Sequence, residues 1–274
     1  MRLSIIFCLL FMALLLGCKK ENPRGVELDA ETREALQKVS QGRIFFGHQS
    51  VGANILNGMQ RLAEQSGAVK LNILEIGKEN FPGEHFLAHG RIGRNESPKS
   101  KCEAFQAILR SGLGDKVDIA LFKLCYVDIR ERDNEKEILN LYRSTIEALR
   151  SEYPKVKFIA VTVPLTSNES AWKYMAKKML GRETERRNNI RRNQFNELLR
   201  ETFKKETVFD LARIESKRPD GSREKFNGEK DTYYSLVPEC SSDGSHLNDY
   251  GSQRVAKELI LLLGREISEM ERMK

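Results

Sequence analysis

The chain has 274 residues, a formal net charge of +7 and five cysteines. This length suits one large hydrophobic core. The positive charge is compatible with a position near anionic lipid or polysaccharide, but an excess of this size is more often a matter of solubility. The cysteines have no metal-like spacing, which argues against a zinc site, and we predict neither a metal nor a cofactor.

The first twenty residues have the features of a bacterial lipoprotein signal. Arg2 is followed by an apolar stretch over residues 3–16 and then by Gly17 and Cys18. The apolar stretch is shorter than a comfortable membrane span, and a small residue precedes the cysteine. We therefore predict that residues 1–17 are a signal peptide and that Cys18 is lipidated. The alternatives are an ordinary anchor helix and a buried helix.

The predicted mature chain begins with a lipidated tether over residues 18–27, and residues 28–274 form its α/β domain. Lys19 and Lys20 follow the cysteine, and the lack of an aspartate there favours the outer membrane over the inner one. We expect a protein anchored in the bacterial cell envelope. Three further cysteines remain in the domain, an odd number that argues against a disulfide framework: Cys102, Cys125 and Cys240.

Short apolar segments alternate with amphipathic ones along the rest of the chain. Helices are predicted over residues 29–39, 52–65, 98–109, 135–153 and 250–270, with a long basic helical region ending near residue 205. Strands are predicted over residues 44–46, 69–76, 117–124, 156–163 and 208–212. This alternation predicts a three-layer α/β/α sandwich around a five-stranded parallel sheet, with flavodoxin-like order 2-1-3-4-5.

Ser50 lies where the first strand is predicted to turn into a helix. Gly47 and Gly52 flank it and permit a tight turn with close backbone approach. A serine at this junction has a helix N-terminus behind it, whose free N–H groups can stabilise an oxyanion. The alternative is a serine that caps the helix, which is a common use of this residue.

Asp243 precedes His246 by three residues, just before the last predicted helix. This spacing allows the carboxylate to accept a hydrogen bond from the imidazole Nδ1–H and leaves Nε2 available for a hydroxyl. Because both loops follow strands of a parallel sheet, they are expected on the same edge of it. Ser50, His246 and Asp243 then supply a nucleophile, a base and an orienting group.

This pair of motifs resembles the SGNH (GDSL-like) hydrolase superfamily, in which the serine follows the first strand and D-x-x-H precedes the final helix. The resemblance implies a backbone oxyanion donor in the second block, for which Gly93 is predicted, together with the N–H of Ser50 itself. The first block departs from Gly-Asp-Ser, since residues 47–50 read GHQS. Val127 stands where the third-block asparagine is expected, and Asn95 is predicted to substitute for it.

Two residues beside the serine are predicted to contact the substrate. His48 lies two positions before Ser50, on the same side of an extended chain, and Gln49 lies between them. The alternative for His48 is a histidine satisfied by hydrogen bonds at the strand end.

Residues 173–205 hold eleven Lys or Arg and four Glu. Such a run is usually the solvated face of a helix, and the alternative is a basic flap that contacts anionic lipid or glycan. Nucleic acid is not a predicted partner, because the protein is expected to be exported.

These features together predict an envelope-anchored serine esterase that acts on acyl or acetyl esters of lipid or carbohydrate. An acyltransferase needs the same triad and is the nearest alternative. A non-catalytic glycan-binding module on an SGNH-like fold is the alternative from another class, and the altered first and third blocks favour it.

Overall fold

The computed structural model describes residues 25–77, 84–228 and 231–273. The predicted signal peptide and Cys18 lie outside these residues, so that part of the sequence interpretation stays a prediction. Within the described ranges, no helix is long and apolar enough to cross a membrane.

Helices and strands alternate along most of the chain. The helices are α1 (Ala30–Ser40), α2 (Ser50–Ser66), α3 (Pro98–Ile108), α4 (Glu135–Glu152), α5 (Ala171–Met179), α6 (Glu185–Thr202), α7 (Leu211–Ser216) and α8 (Asp249–Arg272). The strands are β1 (Arg43–His48), β2 (Ile73–Glu75), β3 (Phe86–Arg91), β4 (Ile119–Phe122), β5 (Lys157–Val161), β6 (Val208–Phe209), β7 (Lys225–Asn227) and β8 (Thr232–Tyr234).

The first six strands form a parallel sheet of order β2-β3-β1-β4-β5-β6, and β7 pairs with β8 in a separate hairpin. Alternate residues of β1 enter different cores. Ile44 and Phe46 pack with α1, α2, α7 and α8, whereas Phe45 packs with α3, α4 and α6 on the other face. The period of two in side-chain direction produces this division. The predicted three-layer α/β/α architecture is confirmed.

The sheet has six strands rather than the predicted five. The additional strand, β3, lies between the predicted strand over residues 69–76 and the predicted helix over residues 98–109, where no element was predicted, and it enters the sheet between β2 and β1. Its apolar start, Phe86 to Ala88, is buried, but His89, Gly90 and Arg91 conceal the strand pattern. The five predicted strands keep their predicted relative order around it.

Several strands are shorter than predicted, and two further differences lie in the second half of the chain. The basic region is two helices, α5 and α6, separated by Gly181 in a left-handed conformation with φ +63°. The last sheet strand ends at Phe209, because Asp210 accepts a hydrogen bond from the backbone of Arg213 and caps α7. Residues 208–212 have the apolar character of a β-strand, but the capped helix begins at Leu211 and ends the strand early.

The packing of α2 against α8 determines how the two ends of the chain meet. Gly58 of α2 lies so close to α8 that an added Cβ would stand 2.3 Å from the carbonyl oxygen of Ser252. Ser50 is the first residue of α2, and His246 lies three residues before α8. Close contact between these helices therefore brings Ser50 and His246 to the same edge of the sheet.

Candidate active site

Ser50, His246 and Asp243 form a continuous hydrogen-bonded chain. The Ser50 Oγ lies 3.0 Å from the His246 Nε2, and the His246 Nδ1 lies 2.7 Å from the Asp243 Oδ2. Both distances fall within ordinary hydrogen-bond range. The structure thus brings together three residues from the two ends of the chain, in the arrangement that a nucleophile, a base and an orienting carboxylate require.

Ser50 does not cap α2, so the alternative interpretation of Ser50 as a helix cap is wrong. The N-cap position belongs to Gln49, in an extended conformation with no side-chain capping bond. The Ser50 hydroxyl is instead paired with His246. Gly52 allows the turn to be this tight, because an added Cβ would lie 2.2 Å from the His48 Cβ.

The loop that carries Asp243 and His246 is held at several points. The Ser241 hydroxyl donates to the His246 carbonyl at 2.6 Å and accepts from the Gly244 N–H at 2.9 Å. The backbone N–H of Ser167 donates to the Gly244 carbonyl at 2.7 Å. These bonds restrict the imidazole to an orientation in which its two nitrogens face Asp243 and Ser50.

The Asp243 carboxylate is ionised across the neutral and mildly acidic range. The protein atoms around it displace some of its water, which opposes ionisation, but hydrogen bonds outweigh that effect and hold its pKa well below the ordinary value. The backbone N–H groups of His246 and Ser245 donate to Oδ1 at 2.7 and 2.8 Å, and the His246 ring occupies Oδ2. A carboxylate in this state stabilises an imidazolium that forms beside it.

Gly93, the predicted oxyanion donor, occupies a backbone conformation that only glycine fits. Its φ is +55°, and an added Cβ would stand 2.6 Å from the backbone of Ser100 and Lys101. The Gln49 side-chain amide donates to the carbonyls of Ile92 and Gly93 at 2.8 and 3.0 Å. This pair of bonds ties the Gly93 turn to the residue that precedes Ser50.

The substrate-binding role of Gln49 stays a prediction, which these contacts limit to the amide oxygen. The two N–H groups of its amide are occupied by backbone carbonyls. Its position next to Ser50 was visible in the sequence, but the direction of its side chain was not. Gln49 serves as a brace between the serine turn and the Gly93 turn.

The substrate-binding prediction for His48 is wrong. The side chain is 1% exposed and lies under the site, where Nδ1 is 2.7 Å from the Gln49 carbonyl and Nε2 is 3.0 Å from the His89 Nδ1. Burial lowers the pKa of His48 to about 4, so the ring is neutral at pH 7. A carbonyl can only accept, so Nδ1 carries the proton and His89 donates to Nε2.

Asn95, predicted to supply the side-chain oxyanion donor, is linked to a buried ion pair. Its Oδ1 accepts from the Lys101 Nζ at 3.1 Å, and the same ammonium pairs with Asp128, both side chains being fully buried. Asp128 also accepts from the backbone N–H groups of Cys125 and Glu96 at 2.6 and 2.8 Å. The role of Asn95 as a donor stays a prediction.

The Lys101–Asp128 pair was not found from the sequence. It joins α3 to the loop that follows β4, immediately beside the position of Val127, and Asp128 also accepts from the backbone of Glu96 in the loop that follows β3. The sequence places Lys101 on the inward face of α3, and this position could have predicted the pair, since a fully buried lysine requires a partner. The pair and its hydrogen bonds hold the loop after β3 and the loop after β4 together beside Val127.

Removing one member of this pair is expected to destabilise the protein strongly. Asp128→Ala leaves the Lys101 ammonium buried without its carboxylate, and the free energy of unfolding should fall by about 3–5 kcal/mol in urea titration. The double variant Asp128→Ala with Lys101→Met removes the buried charge and should be more stable than Asp128→Ala alone. Additive losses would contradict the unpaired-charge explanation.

Tyr126, which was not among the predicted site residues, lies beside His246. Its ring meets the His246 imidazole edge to face, with centroids 5.9 Å apart. The Arg192 guanidinium lies 5.5 Å from the ring centroid and donates to the Tyr126 carbonyl at 2.8 Å. Its place in the loop that follows β4 was the signal that could have identified it, because ligands of parallel sheets bind beyond the carboxyl ends of strands.

No protein-family model and no curated protein sequence matches this chain. Solved structures are similar to it in chain path. One is a peptidoglycan O-acetylesterase, with 9% identity over 91% of this chain and 98% of that one and a TM-score of 0.49. Another is a candidate SGNH hydrolase from Slackia heliotrinireducens, with 13% identity over 79% and 95% and a TM-score of 0.45. The periplasmic domain of a lipopolysaccharide acetyltransferase from Salmonella ser. Paratyphi A shows 11% identity over 100% and 98%, with a TM-score of 0.40.

Proposed function

We propose that this protein is a serine esterase that cleaves acyl or acetyl esters carried by lipid or carbohydrate of the cell envelope. The observation that carries the proposal is the 3.0 Å contact from the Ser50 hydroxyl to His246, whose other ring nitrogen meets Asp243 at 2.7 Å. A serine that only supported the fold would not need a base held by a carboxylate.

The reaction follows from the direction of these hydrogen bonds. His246 Nε2 takes the hydroxyl proton as the Ser50 Oγ attacks the ester carbonyl, and a tetrahedral oxyanion forms. The imidazolium then returns this proton to the departing alkoxide, the carbon–oxygen bond to the alcohol breaks, and an acyl-enzyme remains. Water attacks next, with His246 again as base, and the carboxylic acid leaves as Ser50 is regenerated.

Stabilisation of the oxyanion is assigned to backbone N–H groups. The N–H of Ser50 lies at the start of α2, where helix N–H groups have no partner within the helix. The N–H of Gly93 is the second proposed donor, positioned through the Gln49 brace. Preorganised donors of this kind supply a large part of the rate enhancement in acyl transfer.

An acyltransferase would share every step up to the acyl-enzyme. The two activities differ in whether water or an acceptor alcohol attacks that intermediate. Incubation with an acetyl ester, with and without a sugar alcohol acceptor, separates them by the ratio of free acetate to acetylated acceptor. Hydrolysis is expected to dominate.

The proposal is tested by labelling the intact protein with a fluorophosphonate and mapping the modified residue. The label is expected on Ser50, at a rate that falls in His246→Ala, because the probe requires an activated serine. Ser66→Ala is the matched control, since Ser66 ends the same helix and should leave labelling unchanged. Absence of label on Ser50 in the folded protein would favour the glycan-binding module.

Attachment to the envelope is proposed through Cys18. Replacement of Cys18 by serine is expected to abolish incorporation of labelled fatty acid and to leave the unprocessed precursor. Cys102→Ser is a suitable control because Cys102 is a buried free thiol. Normal labelling of the Cys18 variant would refute the anchor.

A further inference from the structure

Helix α5 presents its apolar side to solvent. Trp172, Met175, Met179 and the following Leu180 are 75%, 52%, 84% and 68% exposed. Among the described residues, Met273 near the C-terminus is the only other large apolar side chain with comparable exposure. Soluble proteins rarely leave such a cluster uncovered without a binding role.

The orientation of α5 is the reverse of that of an ordinary surface helix. Residues 172, 175 and 179 share one face by their spacing. The opposite face holds the helix to the protein: the Arg186 guanidinium lies 5.0 Å from the centroid of the Tyr174 ring, and the Lys177 ammonium lies 3.6 Å from Glu169. Polar contacts thus attach the helix, and the apolar stripe points outward.

Positive charge borders the apolar stripe. Lys173, Lys178 and Arg182 are all exposed. In α6, by contrast, most cations are paired with acidic residues: Arg187 with Glu131, Arg191 with Glu135, Arg192 with Glu185 and Arg200 with Asp210. Lys204, just after α6, is paired with Glu201. Most of the exposed positive charge in residues 173–205 that no ion pair balances therefore lies in α5 and in the turn that follows it.

Helix α5 also lies near the candidate active site. The Ser167 N–H is bonded to the carbonyl of Gly244 in the loop that carries Asp243 and His246. Ala171, the first residue of α5, follows four positions later, within about 14 Å of Ser167 even for an extended chain. A surface that binds α5 would therefore lie close to the entrance of the site.

We propose that α5 docks on an anionic lipid surface. Trp172 and Met175, with Met179 and Leu180, would enter the boundary between headgroups and acyl chains, while the bordering cations meet lipid phosphates. Charge complementarity favours an anionic lipid surface as the binding partner. Residues 171–182 combine an apolar stripe with cations and contain no acidic residue, so they match the apolar interior and the negative headgroups of such a bilayer. The docking does not depend on the proposed esterase activity, and Ser50→Ala should dock as well as the parent chain.

Trp172 is the single tryptophan of the sequence, so fluorescence reports directly on α5. The full chain with Cys18→Ser, which carries no acyl anchor, is mixed with vesicles of phosphatidylglycerol and phosphatidylcholine, or of phosphatidylcholine alone. With the anionic vesicles, Trp172 emission should shift to shorter wavelength and be quenched by brominated acyl chains. Raising salt from about 0.1 M to about 1 M should reverse much of the effect.

Two variants separate the apolar and charged contributions. Lys173→Gln with Lys178→Gln should weaken binding roughly 25-fold, about fivefold for each cation, whereas the matched pair Lys204→Gln with Lys205→Gln should not. Met175→Ser with Met179→Ser should abolish quenching. All variants keep the same N-terminal segment, so their differences report on α5.

Several results would overturn the proposal. Unchanged Trp172 emission with anionic vesicles would do so, as would equal effects of the two lysine pairs. A shift that grows with protein concentration in the absence of vesicles would assign the stripe to contact between copies of the chain instead.

Discussion

Ser50→Ala and His246→Ala are each expected to lower kcat/KM for an acetyl ester by about 10⁶-fold. The serine supplies the bonding electrons and the histidine removes its proton, so the loss of either one stops the same step. The 3.0 Å contact between Ser50 Oγ and His246 Nε2 is the structural basis of this expectation. Hydrolysis of p-nitrophenyl acetate measures the effect.

The double variant distinguishes a catalytic unit from two independent residues. Ser50→Ala with His246→Ala should be little worse than either single variant, because residues of one triad act together. Asp243→Asn is expected to cost less, about 10⁴-fold, since the imidazole remains but loses its preferred tautomer. Urea titration should show that the variants stay folded. Full activity in folded His246→Ala would exclude the triad mechanism.

Gly93→Ala is expected to lower kcat by about 10²–10³-fold, the usual effect of losing one oxyanion donor. The methyl group would collide with the backbone of Ser100 and Lys101, at 2.6 Å, and alanine also resists a φ of +55°. The turn must shift to relieve both effects, and its N–H moves with it. Measured kcat and KM for p-nitrophenyl acetate report the change.

Gly67→Ala is the matched control for this variant. Gly67 has a similar φ of +66° at the end of α2, but nothing lies within 4 Å of an added Cβ. Both variants should lose about 1–2 kcal/mol of stability from the left-handed conformation, whereas kcat should fall only in Gly93→Ala. A wild-type kcat in Gly93→Ala would place the second oxyanion donor elsewhere.

Local pattern was sufficient to select Ser50, His246 and Asp243 as three side chains that would lie together. Asp243 and His246 are three positions apart in one loop, so their pairing at 2.7 Å depends on short-range geometry that the spacing already contains. The strand-to-helix junction at Ser50 is likewise a local feature, marked by apolar residues before it and glycines around it. The alternation of such segments was also enough to predict the α/β/α layers.

The directions of the side chains at the site could not be predicted from local sequence pattern. His48 and Gln49 are neighbours of Ser50 in sequence, but one ring is buried against His89 and the other side chain binds the backbone at Ile92 and Gly93. Those contacts depend on β3, which the polar residues in its second half concealed. An error in strand assignment thus became an error about the surroundings of His48.

By itself, the sequence determined the layer architecture, the junction that carries Ser50 and the pairing of Asp243 with His246, because each depends on residues close together in the chain. Tertiary structure alone decided that His246 meets Ser50 across 196 positions, that Lys101 is buried against Asp128, and that the apolar face of α5 points outward. Each of these follows from how helices and strands pack. Packing is set by the joint shape and burial of distant segments, which no local pattern specifies.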